Sequence, residues 1–181
     1  MGIANGLIYI LEAAKLLSDS NQDDIDFIFL GEGKAKKQCL AFVEKHSLTN
    51  IIFMDRVAMD MTSEIVNLCD VSIVPFLNLP ILTTNSPNKL FDSLSSAKPA
   101  IVNSNGWTRE IVEKYSCGAY VDPEKPQDLA SLLIEWKKQP ALLKNMGANG
   151  RKLAEEKYDK SILTKQFVEV INKYGLKTNA N

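Results

Sequence analysis

The sequence predicts an α/β domain: a Rossmann-like parallel sheet flanked by helices. Three observations lead there. Short apolar runs alternate with longer stretches of helical periodicity. Apolar strands alternating with helices are the pattern of a parallel sheet covered on both faces. A chain of 181 residues that is 45% hydrophobic and 24% charged suits one core of domain size.

In order, "GLIYILEAAKLL" (Gly6–Leu17) reads as helix and "IDFIFLGEG" (Ile25–Gly33) as a strand ending in a glycine turn. "KAKKQCLAFVEKH" returns to helix, "NIIFMDRV" (Asn50–Val57) to strand, "MTSEIVNLC" to helix and "DVSIVPF" (Asp70–Phe76) to strand. Leu77 to Asn85 reads as a loop, and Ser86 starts a helix. "PAIVNS" (Pro99–Ser104) is strand, "WTREIVEKYSC" helix and "GAYVDP" (Gly118–Pro123) a last short strand; helices follow over Gln127–Lys138, Ala141–Lys157 and Lys160–Tyr174. One domain over residues 1–174 and a C-terminal tail over 175–181 are expected. The opening "MGIANGL" is a glycine-containing loop that runs straight into a helix. A doubly wound unit normally has a strand before such a loop, so a start just inside a larger protein is expected.

Composition excludes several classes. The formal net charge is -1, so nothing marks the whole chain as a nucleic-acid or membrane-surface binder. Cys39, Cys69 and Cys117 are far apart and His46 is the one histidine, which argues against zinc and against a disulfide framework, and for a reducing, cytoplasmic setting. No metal site is expected. No segment approaches the ~18–20 apolar residues of a membrane span. Glu12 and Lys15 interrupt the first apolar run, so it is no signal peptide.

In an open parallel sheet, ligands bind beyond the carboxyl ends of the strands. The helix that follows "VSIVPF" therefore starts at a ligand-facing loop. Its opening, "TTNSPNKLFD", suggests Ser86 as N-cap and Pro87 as first helical residue. Lys89 then lies in the first turn, where the helix dipole is positive and disfavours a cation by a few tenths to ~1 kcal/mol. The lysine makes sense if an anion such as a diphosphate sits between it and the free N–H groups of the helix start. Asp92, one turn on, suits the hydroxyls of a ribose. The alternative is a solvated Lys89 paired with Asp92 at i,i+3.

With the segments "MGIANGLIYILEAAKLL", "FIFLGEGKAKKQCL", "IIFMDRV", "NSPNKLFDSLSSAKPAIV", "EIVEKYSCGAYVDPEKPQDLASLL" and "MGANGRKLAEEKY" in register, the chain resembles the C-terminal, donor-binding half of family 4 glycosyltransferases, in the branch that builds bacterial surface polysaccharides. The resemblance implies one half of a two-domain B-type glycosyltransferase, binding a nucleoside-diphosphate sugar as substrate and needing no further cofactor. It implies diphosphate contacts from Gly2, Ser86, Pro87, Asn88 and Lys89, and a ribose contact from Asp92, where the family usually has a glutamate. Base contacts fall to Arg56, Val57, Gly31 and Gly33, and donor-sugar contacts to Thr84 and Asn85. Thr84 stands where the family often has a second glutamate. No catalytic residue is assigned on this half. The acceptor half of the full-length enzyme is the implied partner, along with the donor. Attachment to the inner face of the membrane, if there is any, falls to that other half.

"GEGKAKK" fails as a phosphate loop, because Ile28 occupies the first glycine position and Ala35 follows the lysine. Lys34, Lys36 and Lys37 read as a solvated face. His46 favours a helix C-terminus. Trp107 suits either stacking on a ligand ring or anchoring its own helix. A sugar-nucleotide epimerase half and a non-catalytic nucleotide-binding module are the competing functions. For the 181-residue chain alone, weak nucleotide binding without turnover is expected.

Overall fold

Apolar runs become strands here wherever helices can cover them, and the order along the chain follows the alternation. The structure is a computed structural model that describes residues 1–175, so the tail expected over 175–181 lies outside the described residues beyond Gly175. The strands are β1 (Phe27–Leu30), β2 (Ile51–Met54), β3 (Ser72–Val74), β4 (Ala100–Val102) and β5 (Gly118–Tyr120). The helices are α1 (Leu7–Asp19), α2 (Lys36–His46), α3 (Met59–Leu68), α4 (Asn88–Ser95), α5 (Trp107–Lys114), α6 (Pro126–Trp136), α7 (Pro140–Lys157) and α8 (Lys160–Tyr174). Short 3-10 turns form at Ile3–Asn5 and Pro80–Thr84, the second inside the segment expected to be an irregular loop.

All strand pairs are parallel, as expected. They do not form one continuous sheet. β1 pairs with β2, and β3, β4 and β5 form a separate set in that order. Between β1 and β3 lies a cleft instead of a ladder, and the α1 and α3 side chains Leu7, Ile10, Ile65 and Leu68 line it.

The core has two parts. Leu11, Ala14 and Leu17 of α1 pack with Leu129 and Trp136 of α6 and with Phe27 and Phe29 of β1. Leu90 and Leu94 of α4 pack with Val74, Ala100, Val102, Val112 and Leu153. Each such leucine contributes about 1.5–3 kcal/mol by leaving water. His46 closes α2, its ring 4.5 Å from that of Phe42, in keeping with a helix-end role. In α8 the Asp159 carboxylate accepts the Ser161 N–H at 2.8 Å as a cap. Among the described residues, no α8 side chain is buried. No helix is long and apolar enough to cross a membrane among the described residues.

Candidate functional site

The carboxyl ends of the strands bring together the loop Gly2–Gly6, the turn Gly31–Gly33, the segment after β2 and the start of α4. The loop is held by its backbone. Leu77 N–H, just past β3, donates to the Ala4 carbonyl at 2.9 Å. Gly6 has φ +56, and a Cβ there would lie 3.2 Å from the Phe76 carbonyl oxygen and the Leu77 nitrogen. Both the left-handed backbone and the close approach require glycine. Asn103, buried at the end of β4, fixes the other side of this contact. Its Oδ1 accepts the Phe76 N–H at 2.7 Å, and its Nδ2 donates to the Phe76 carbonyl at 2.9 Å.

The start of α4 differs from expectation by one residue. Pro87, extended at ψ 124, is the N-cap, and Asn88 is the first helical residue. Ser86 therefore lies outside the helix. A proline at N1 needs helical ψ, and this one is extended, so Ser-Pro here marks the approach to the helix. Among the described residues no side chain caps this end, and Pro87 offers no N–H of its own, so the first-turn N–H groups of Asn88 and Lys89 have no side-chain acceptor among them. The helix ends at Ser95, and Ala97 lies beyond it at φ 53.

Lys89 Nζ donates to Asn5 Oδ1 at 2.8 Å, which ties α4 to the glycine loop. Among the described residues, no carboxylate lies within ion-pair distance of it, so the Lys89–Asp92 pair does not form. The ammonium reaches solvent, but its flanks are crowded, and desolvation lowers its pKa below the ordinary lysine value. Asp92, on the same face one turn later, has its carboxyl pKa raised by desolvation. A cation and an anion, each partly stripped of water and unpaired with one another, form a site that an anionic, hydroxyl-bearing ligand complements.

The turn after β1 and the segment after β2 are strapped together. Lys36 Nζ donates to the Asp55 carboxylate at 2.6 Å and also pairs with Glu32. Those hydrogen bonds, the one to Asp55 first, raise the Lys36 pKa. The Gly31 N–H also donates to the Met54 carbonyl at 2.9 Å, so the turn that carries Gly31 and Gly33 lies beside the end of β2, just ahead of Arg56 and Val57. Gly33 has φ +144, and a Cβ there would collide with the Met1 backbone.

Thr84 and Asn85 lie in and just after the second 3-10 turn. The Thr84 hydroxyl donates to the Ile81 carbonyl at 2.9 Å, leaving its oxygen free only as an acceptor. Trp107 anchors this turn: its Nε1–H donates to the Asn85 carbonyl at 2.9 Å, and its ring stacks 6.1 Å from Phe91. The structure thus joins the start of α4 to the loop that carries Gly2 through one hydrogen bond, from Lys89 to Asn5. It leaves Thr84 and Asn85 on an exposed rim beside them.

Asn5 and Asn103 were not singled out in the sequence. Asn5 sits in "IANG", where an asparagine reads as an ordinary turn residue. Asn103 follows an apolar strand, and a polar residue at a strand's carboxyl end was the signal available. Among the described residues, no cluster of three His, Cys, Asp or Glu could hold a metal ion.

The sequence pattern of the family described as "Glycosyl transferases group 1" matches residues 3–153. An uncharacterized glycosyltransferase of Methanocaldococcus jannaschii is 25% identical over 156 residues, which are 86% of this chain and 43% of that protein. Among solved structures, TarM of S. aureus, solved with fondaparinux, α-GlcNAc-glycerol and UDP, aligns with a TM-score of 0.79 at 15% identity, over 95% of this chain and 34% of its own. HepE of Anabaena, solved with UDP-glucose, aligns with a TM-score of 0.76 at 16% identity, over 96% of this chain and 46% of its own. The chain therefore spans less than half the length of each. The structural likeness shows the fold, that of one half of a B-type glycosyltransferase.

Proposed function

The chain belongs to the group 1 glycosyl transferases, and on that premise we propose that it is the donor-binding domain of a transferase that moves a glycosyl group from a nucleoside-diphosphate sugar to a saccharide or lipid-linked acceptor. One observation carries the reading. Lys89, unpaired with any carboxylate among the described residues, reaches from an uncapped helix start to Asn5 of a glycine loop. A diphosphate set between that loop and the helix start meets the free N–H groups, the positive end of the dipole and an ammonium. As the bond between the sugar's anomeric carbon and the diphosphate oxygen breaks, both electrons stay on the leaving diphosphate. Donors already aimed at that oxygen stabilise the charge as it grows. Crowding around Lys89 makes its attraction to an anion stronger than in bulk water.

In the same reading, Asp92 accepts the ribose hydroxyls. Gly31, Gly33, Arg56 and Val57 line the base, and Thr84 and Asn85 approach the sugar. The pathway we propose is surface-polysaccharide or lipopolysaccharide synthesis, in the family 4 branch, on the cytoplasmic side of the membrane. The acceptor and the groups that activate it belong to a second domain.

A thermal-shift and calorimetric screen of UDP, GDP and their sugars tests this, with Lys89→Ala alongside. UDP-sugars come first, because HepE and TarM were solved with uridine nucleotides. The expected result is a melting shift with one nucleotide class that Lys89→Ala removes. A shift of equal size in Lys89→Ala would eliminate the diphosphate clamp, and no shift with any of them would favour a non-catalytic module.

A further inference from the structure

Helices α2 and α4 both carry a lysine in the first turn, and they treat it in opposite ways. Lys36 is the first residue of α2, and two carboxylates, Glu32 and Asp55, hold its ammonium. Lys89 is the second residue of α4, and a carboxamide holds its ammonium instead, Asn5 Oδ1 at 2.8 Å. Both cations lie at a positive helix end. At α2 counter-charge cancels the misfit. At α4, among the described residues, no carboxylate comes within ion-pair distance, and the charge is left standing.

Lys89 is nonetheless fixed at both ends. Its main-chain carbonyl accepts the Ser93 hydroxyl at 2.6 Å, and that hydroxyl is hydrogen-bonded at 2.7 Å to Ser72 Oγ of β3. Ser93 is buried between Leu90 and Leu94, so this pair crosslinks α4 to the sheet beneath the lysine. At the other end Asn5 stands on a braced loop. Its own N–H donates to the Gly2 carbonyl and the Gly6 N–H to the Ile3 carbonyl, both at 3.2 Å. Chemistry settles which way the carboxamide points, because an ammonium has only donors and must meet Oδ1. Nδ2 turns the other way, over Gly2, 3.5 Å from where a Cβ on Gly2 would stand.

Charge is what separates this acceptor from a carboxylate. An aspartate at position 5 would offer an oxygen at the same reach, hold the ammonium more firmly and cancel it. The asparagine holds it by a dipole alone and leaves the full charge to act on an anion. The tether also orders the flexible lysine stem in advance, so an arriving anion need not do so.

Resting on the reading of this site as the diphosphate site, we propose that Asn5 is a positioning residue. Its neutral carboxamide holds the Lys89 ammonium at the glycine loop, ordered but not neutralised, and Asn5 acts on the diphosphate through that lysine. Calorimetry with UDP and with uridine, carried to millimolar ligand, tests it. The proteins are the wild-type chain, Asn5→Ala, Asn5→Asp, Lys89→Ala and the double variant Asn5→Ala with Lys89→Ala. Asn5 is not among the residues with a left-handed backbone, so alanine and aspartate both fit its main chain. Expected are about three- to tenfold weaker UDP binding in Asn5→Ala and at least about tenfold weaker in Asn5→Asp, with uridine unchanged in both. The double variant should bind UDP no more weakly than Lys89→Ala alone.

UDP binding by Asn5→Asp as tight as by the wild type overturns the proposal, because the charge of the acceptor would then be immaterial. Equal losses from Asn5→Ala with and without Lys89 overturn it too, since Asn5 would act independently of the lysine. A matching loss of uridine binding makes Asn5 a prop of the loop and overturns it as well. Unchanged UDP binding in Asn5→Ala, beside a loss in Lys89→Ala, overturns this proposal alone. No UDP binding by the wild-type chain overturns the diphosphate reading and this proposal with it.

Discussion

Strand β4 and strand β2 are equally apolar, yet they live in different surroundings. "AIV" of β4 lies between β3 and β5 and is buried at every position. "IIFM" of β2 is nowhere fully buried, and its Ile52 is 43% exposed. An apolar strand needs two covered faces, but neighbours supply the cover. β4, paired on both edges, is therefore tightly packed, whereas β2, paired on one edge, keeps apolar surface uncovered.

The largest expected effect tests that contrast directly. Ile101→Ala in β4 should cost about 2–5 kcal/mol, whereas Ile52→Ala in β2 should cost under about 1 kcal/mol, both read from urea unfolding. Equal costs would show that the two sheets are equally packed. Next is Gly6→Ala, where a left-handed backbone and crowding by Phe76 and Leu77 should cost about 1–3 kcal/mol and free the loop from α4. Asn103→Ala should cost a similar or smaller amount, about 1–3 kcal/mol, by orphaning the Phe76 amide. The buried asparagine on the other side, Asn50, makes one side-chain bond among the described residues, to the Ala14 carbonyl, and its Oδ1 lacks a partner among them. Asn50→Ala should therefore cost less, and a larger loss than for Asn103→Ala would reverse the contrast.

Smaller effects come from charge. The folded Lys89 pKa lies below that of the unfolded chain, so in the window between the two the unfolded state binds more protons and stability rises with pH. Lys89→Met should flatten the melting curve against pH in that alkaline window while abolishing nucleotide-induced shifts. An unchanged slope would show that the amine is freely solvated. Smallest is Asp55→Asn. The hydrogen bond from Lys36 lowers the Asp55 pKa, so its contribution is present above the unfolded carboxylate value and fades as pH falls through the folded one. The variant should lose that acid-limb dependence, and added salt should mask the difference.

The alternation of apolar runs with helical periodicity made the strands and α-helices readable from sequence, because both patterns are local. The break between β1 and β3 was not readable, since which edges meet is decided by pairing between residues far apart in sequence. At Ser86–Pro87 the sequence reads as cap and first helical residue. Only the extended backbone of Pro87 moves the helix start to Asn88. Lys89 stood out as a local conflict with the dipole. Asn5 did not, because nothing in "IANG" announces a partner so far along the chain.

Asn103 has one more consequence. Its carboxamide meets both polar groups of Phe76, taking the place of the two separate main-chain groups of the β4 side that a parallel ladder would set against them. The side chain acts as a counterfeit backbone, adding a rung to the β3–β4 ladder after the main chain of β4 has turned away. The position is thus coded for length as well as polarity. A glutamine, one methylene longer, carries the same amide to the wrong height, and the chain beyond Phe76 would have to buckle or let go.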